Sequence, residues 1–175
     1  VVEDVFDVVG IEFDFEPLDS FVTFRYVFAS EEYCEFVASD YNDVFGFFVS
    51  GPGINGGFTG NAENVALIPG TNNFVTINTV NRITNSNYYI GNERPENADE
   101  CEVPYVASQQ NNIEYDGFTI ELTALLKVHP CETYHIRMVI GDVKDNFYDS
   151  AVFLEAKSFN LGGEPLVETL DDAVR

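Results

Sequence analysis

The residues of this sequence best suited to chemistry are carboxylates, and they are bunched. Between Ser30 and Asp43 the chain reads SEEYCEFVASDYND, which sets Glu31, Glu32, Glu35, Asp40 and Asp43 between two apolar, aromatic-rich runs, Phe21–Ala29 and Val44–Val49. Carboxylates crowded in this way repel one another unless positive charge sits among them. Arg25 is the only lysine or arginine ahead of Arg82. A bound cation answers that deficit, and Ca²⁺ is the hard ion that prefers clustered carboxylate and carbonyl oxygens. A second cluster, GDVKDNFYDS over Gly141–Ser150, spaces Asp142, Asp145 and Asp149 at three and four residues around a strand-to-strand turn, and Asp116 stands in a YDGF segment. The expected ion ligands are therefore Glu31, Glu32, Asp43, Asp116, Asp142, Asp145 and Asp149. The order of an EF-hand loop and its closing Glu are absent, so the reading is a two-part clamp at a sheet edge. The ordinary alternative is a solvated, Asp-rich hairpin.

Aromatic residues offer a second chemistry. Tyr33, Tyr41, Tyr88, Tyr89, Tyr105 and Tyr148 fall near expected loops, beside Asn and Asp. Exposed tyrosines in such company can stack on sugars and hydrogen-bond them, although most aromatics in a chain like this fill the core. Catalysis is not expected. His129 and His135 are the only histidines, Ser30 and Ser50 lack a nucleophile elbow, and the adjacent Glu31 and Glu32 would point to opposite faces of a strand.

The bulk numbers bound the rest. With 175 residues and 45% apolar content, the chain is long enough for one domain with a sizeable core. Thirty acidic against eight basic residues give a net charge of −22, which argues against nucleic acid and anionic membranes as partners. No run is long and apolar enough for direct membrane insertion. Cys34, Cys101 and Cys131 are far apart and show no zinc spacing, so one disulfide and one free thiol are expected if the protein is exported. The abrupt opening at Val1 reads as a piece of something longer.

These side chains need strands to position them. Ile11, Phe13 and Phe15 alternate with Glu12 and Asp14, and Pro17–Ser20 gives a turn signal before Phe21–Ala29, so the two runs read as a hairpin. Asp43–Val49 reads as the next strand. Residues 51–112 hold short apolar runs at Val65–Ile68, Phe74–Ile77 and Tyr88–Ile90, and 11 of the chain's 16 asparagines lie between 51 and 100, the mark of loops with two or three short strands. Ile113–Val128 reads as a long strand or bent pair with a possible bulge at Gly117. Thr133–Val143 and Ala151–Phe159 read as strands joined by a tight turn at Lys144–Asn146. No convincing helix appears, although Ala124–Val128 could form a turn or two. The fold class is all-β, an antiparallel, jelly-roll-like β-sandwich over residues 1–160, with a linker-like tail at 161–175.

Several segments also carry a resemblance. Phe24–Val49 with Ser50-Gly-Pro, then VALIPGT (Val65–Thr71), VTINTVN (Val75–Asn81), YDGFTIELT (Tyr115–Thr123) and Pro130–Phe159 resemble the choice-of-anchor L domain. More distantly, they resemble extracellular NIDO-type modules. The first likeness implies an extracellular, non-catalytic module of large secreted or cell-surface adhesins, chiefly of Bacteroidota, often set beside repeats and a sorting signal. The expected function is that of a calcium-binding adhesin module attaching to a cell-surface glycan or protein, next to neighbouring domains of a larger chain. A carbohydrate-binding module with structural calcium, or an architectural spacer without its own ligand, stands as the alternative.

Overall fold

The computed structural model describes residues 5–40, 42–92, 113–144 and 147–162. The described residues form nine strands: β1 (Val5–Phe15), β2 (Phe21–Ser30), β3 (Val44–Ser50), β4 (Glu63–Asn64), β5 (Tyr89–Gly91), β6 (Gly117–Thr119), β7 (Leu122–Lys127), β8 (Tyr134–Val143) and β9 (Ser150–Leu154). They form two antiparallel sheets. The first runs β1-β8-β3-β4. In the second, β5-β6-β2-β7 are connected and β9 pairs β2 as well. Tyr26 pairs both Leu122 and Leu154, and Ala29 pairs both Phe118 and Ala151. Thus β6 and β7 lie end to end along one side of β2, and β9 lies along the other.

Every second side chain of the inner strands points between the sheets. Val22, Phe24, Tyr26 and Phe28 of β2 meet Phe45, Phe47 and Val49 of β3, with Leu122, Ala124, Leu126, Tyr134, Ile136 and Met138 around them, all buried. The contact between sheets is largely aromatic. Phe24 and Tyr26 each stand 4.9 Å from Phe47 edge-on, and Phe28 stacks on Phe45 at 4.9 Å. Such pairs each add about 0.5–1.5 kcal/mol beyond the area they bury.

Two expectations are corrected here. First, β1 and β2 are not a hairpin: β1 pairs β8 in one sheet, and β2 lies in the other. The backbone of the Pro17–Ser20 corner is bonded elsewhere, with Leu18 N–H donating to Leu161 O at 2.7 Å and Cys131 N–H to Pro17 O at 2.8 Å. Each strand thereby lends its apolar face to a different wall of the core. The link from β8 to β9 likewise crosses between sheets and is not a tight turn within one. Second, Gly117 starts β6 and is not a bulge within a long strand. A Cβ there would sit 2.6 Å from the Tyr89 ring and 2.8 Å from the Tyr33 ring, so glycine admits the two rings. The expected loops with two or three short strands over 51–112 are met among the described residues by β4 and β5, while Val65–Ile68 and Phe74–Ile77, tied by isolated bridges such as Leu67↔Phe74, lend Val65, Ala66, Ile68, Val75 and Ile77 to the core along with Val80.

Asparagine side chains replace the missing ladder in that region. Asn64 Oδ1 accepts from the N–H groups of Phe47 and Ala66, and Asn81 Oδ1 accepts from those of Ile83 and Thr84. Among the described residues the only helical pieces are two single 3₁₀ turns, Thr59–Asn61 and Ser86–Tyr88. Ala124–Val128 is strand, not helix, over the part that belongs to β7.

Among the described residues the phenols of Tyr26 and Tyr33 are buried without a hydrogen-bond partner, and burial pushes both well above the ordinary phenol range. The folded state therefore keeps these protons where the unfolded chain, with an ordinary value of about 10, has lost them. Stability from this source is intact below about pH 10 and is lost as pH rises further. Replacing Tyr33→Phe should move the alkaline unfolding midpoint upward and change neutral-pH stability by no more than about 1 kcal/mol. Circular dichroism across an alkaline titration reads the shift, and an unmoved midpoint would remove Tyr33 from this account.

Candidate functional site

At one end of the sandwich the inward-facing positions change from apolar to polar on both sheets at the same level. On β2 the order runs Phe28 then Ser30, on β8 Ile140 then Asp142, and on β9 Val152 then Ser150. Ahead of β3 it runs Phe45 then Asp43. Ser30, Asp43 and Asp142 are all buried there. Period-two alternation, carried one step past the last apolar residue, is what places them.

Asp43 is wholly enclosed. Its Oδ1 accepts the N–H of Val143 at 3.1 Å, and its Oδ2 accepts the hydroxyl of Ser150 at 2.6 Å. The N–H of Asp43 in turn donates to Glu32 Oε2 at 3.2 Å. Glu32, also buried, donates its own N–H to Ser30 Oγ at 2.9 Å. The connector reaches this position through tight turns, with Phe36 N–H bonded to Glu32 O at 3.3 Å and left-handed backbone at Cys34 (φ 78°) and Ala38 (φ 66°). Cys34 is disulfide-bonded and Cys131 is a free, exposed thiol, while Cys101 lies outside the described residues.

A second row of carboxylates lies one residue further out. Ser30 pairs Gly117 on one side and Ser150 on the other, so the antiparallel register sets Glu31 between Asp116 and Asp149. Glu31 is tied to Asp149 twice: its N–H donates to Asp149 O at 3.0 Å, and its Oε2 accepts the Asp149 N–H at 3.3 Å. Burial, and then the charges of Asp149 and Glu31, push the nearby Tyr115 phenol up. Asn92 closes the far side, donating its N–H to Asp116 O at 2.8 Å and its Nδ2–H to Tyr115 O at 2.8 Å.

The structure thus brings Glu31, Glu32, Asp43, Asp116, Asp142 and Asp149 to one rim, in an inner and an outer tier. Asp145 lies outside the described residues. Among the described residues no three Asp, Glu, His or Cys side chains stand close enough together to hold a metal ion by themselves.

The tyrosines expected to face a ligand are dispersed. Tyr33 is wholly buried, 6.3 Å from Phe28 and 4.9 Å from Tyr89, so its ring has no face to offer a sugar. Tyr88 and Tyr89 are half-buried against the core. Tyr148 is exposed beside Phe36, 5.4 Å away. Tyr41 and Tyr105 lie outside the described residues. His135 sits on the surface of β8 with Nδ1 2.8 Å from Asp14 and Nε2 3.6 Å from Glu12. Sequence reasoning overlooked Ser30, Ser150 and Asn92, whose only signal was their place just beyond an alternating apolar run.

Residues 2–160 match the family model of the Choice-of-anchor L domain. No curated protein and no solved structure matches the chain. No helix among the described residues is long and apolar enough to cross a membrane.

Replacing Asp43→Ala leaves a buried N–H at Val143 and a hydroxyl at Ser150 without their acceptor, which should cost about 2–4 kcal/mol. Asp43→Asn keeps one carbonyl acceptor and should cost less. Asp40→Ala breaks only the exposed Asp40–Lys144 pair and should leave the unfolding curve unchanged. Urea unfolding of the three variants checks the ranking, and equal losses from Asp40→Ala and Asp43→Ala would contradict it.

Proposed function

The chain belongs to the choice-of-anchor L domain family, a class of extracellular, surface-associated or secreted modules, and on that premise we propose that it is a non-catalytic adhesin module. In this reading it binds Ca²⁺ at its acidic rim and attaches a larger protein to a surface ligand. The observation that carries the proposal is the convergence of the SEEY connector with the Asp142–Asp149 segment, which share the Asp43 and Glu31 bonds. A net charge of −22 makes a divalent ion at such a rim favourable, because it offsets repulsion among carboxylates held close by the fold. With Asp43 and Glu32 as inner oxygen donors, carbonyl oxygens and water would complete the shell, a mixture that Ca²⁺ accepts readily. The ion would steady the connector and the β8–β9 crossing, and leave the half-buried Glu31 and the exposed Asp149 beside the ligand, with Asp116 buried behind them. A protein ligand suits this rim better than a glycan, since Tyr33 is enclosed and Tyr88 and Tyr89 are packed on the core.

Calcium titrated into chelator-treated protein should release or absorb heat and raise Tm, and Asp43→Asn should weaken both responses. A flat titration with no change in Tm would end the calcium reading. A glycan array addresses the ligand: specific retention of one polysaccharide class would replace the protein-ligand reading with a carbohydrate-binding one.

A further inference from the structure

Away from the rim, β1 is the outer strand of the first sheet and among the described residues pairs only with β8. It is long and bare: of its 11 residues only Phe15 is buried. Continuing inward alternation from Phe15 makes Phe13, Ile11 and Val9 core-facing, yet they are 38%, 54% and 63% exposed. The reason lies across the sandwich. On this side the second sheet ends at β9, and Ile11, Phe13, Phe24, Leu154 and Phe159 line an opening of about 160 Å³ between the two outer strands. Phe159 closes its lower end, 5.4 Å from Phe13 and 5.3 Å from Phe15.

An exposed apolar outer strand is a template for further pairing, because every second residue turns its N–H and C=O outward. Proteins usually blunt such edges with lysine, proline or a bulge. Here β1 contains neither lysine nor proline, and its bulge lies between Phe6 and Val9, so the register from Val9 to Phe15 is unbroken. The opposite face of this stretch carries Glu12 and Asp14. A second copy would set carboxylates against carboxylates and add another −22 charge, which disfavours self-pairing.

We propose that the outer edge of β1, over Val9–Phe15, accepts an extended strand from a partner protein in which apolar residues alternate with lysine or arginine. Apolar side chains of that strand lie beside Val9, Ile11 and Phe13 and fill the opening above Phe159. Basic side chains lie beside Glu12 and Asp14. Main-chain hydrogen bonds supply the affinity, and the alternation supplies the register. The inference concerns an edge separate from the acidic rim and does not rest on calcium binding.

The probe is a synthetic peptide of alternating valine and lysine, about nine residues long, a typical strand length. Hydrogen exchange with this peptide, at about 0.15 M salt where exposed charges are largely screened, reads the β1 amides directly. Alternate amides between Val9 and Phe15 should slow on binding. A control peptide of equal charge with proline in place of valine loses every second N–H and cannot hold a ladder strand, so it should leave them unchanged. Val9→Lys combined with Ile11→Lys should weaken binding of the valine peptide at least about tenfold, or about 1.4 kcal/mol, without lowering Tm, since both side chains are exposed. The proposal is overturned if the outward amides of β1 are already protected in the free protein, if the proline peptide binds equally well, if protection falls elsewhere, or if the protein dimerises through β1 unaided.

Discussion

A single enclosed carboxylate holds the polar end of the sandwich together. Asp43 begins the path into β3, yet its two oxygens reach the last residue of β8 in one sheet and the first residue of β9 in the other. A carboxyl group removed from water needs such partners, and here they come from both ends of the crossing between the sheets. Glu32 then bonds the Asp43 backbone, and Glu31 bonds that of Asp149, so the acidic connector is stitched to the same crossing. The aromatic zipper of Phe24, Tyr26, Phe28, Phe45 and Phe47 joins the sheets through the middle. At the rim the same task passes to hydrogen bonds.

Much of this was legible from alternation alone. The all-β class, the inward faces of β2, β3 and β8, and the meeting of two acidic segments all follow from a period of two and the turn residues. What alternation does not reveal is the partner of a strand. Ile11–Phe15 and Phe21–Ala29 carry patterns equally compatible with a hairpin and with a crossing between sheets, and only the bonds from Leu18 to Leu161 and from Cys131 to Pro17 decide it. Asp43 was visible as an acid, but its order Val49, Phe47, Phe45, Asp43 also marks it as one more inward position of a strand. Tyr33 does lie in the turns of the connector, as expected, but it is buried and does not face a ligand. The absence of a side chain at Gly117, far away in sequence, is what lets its ring sink into the core.

Two surfaces of different character result. The rim is acidic, built of short hydrogen bonds, and tied at several points to both sheets. The β1 edge is apolar, bonded on one side only among the described residues, and faces an opening between the sheets. Membership in the choice-of-anchor L family gives the extracellular setting in which both would operate.

The directions of the first and last described strands carry a mechanical consequence. β1 enters at the rim, where Val5 pairs Val143, and runs to the opposite pole, where Phe15 pairs Tyr134. The chain returns from Ser150 at the rim along β2 to Asn160, bonded to Thr23, and to Leu161, bonded to Leu18. Tension drawn between the two poles would therefore slide β1 along β8 and slide the 150–161 segment along β2. Both ladders are stretched lengthwise, with many bonds sharing the strain at once, and neither opens like a zipper. A module threaded this way resists extension along its own axis and yields most easily to a sideways peel at β1.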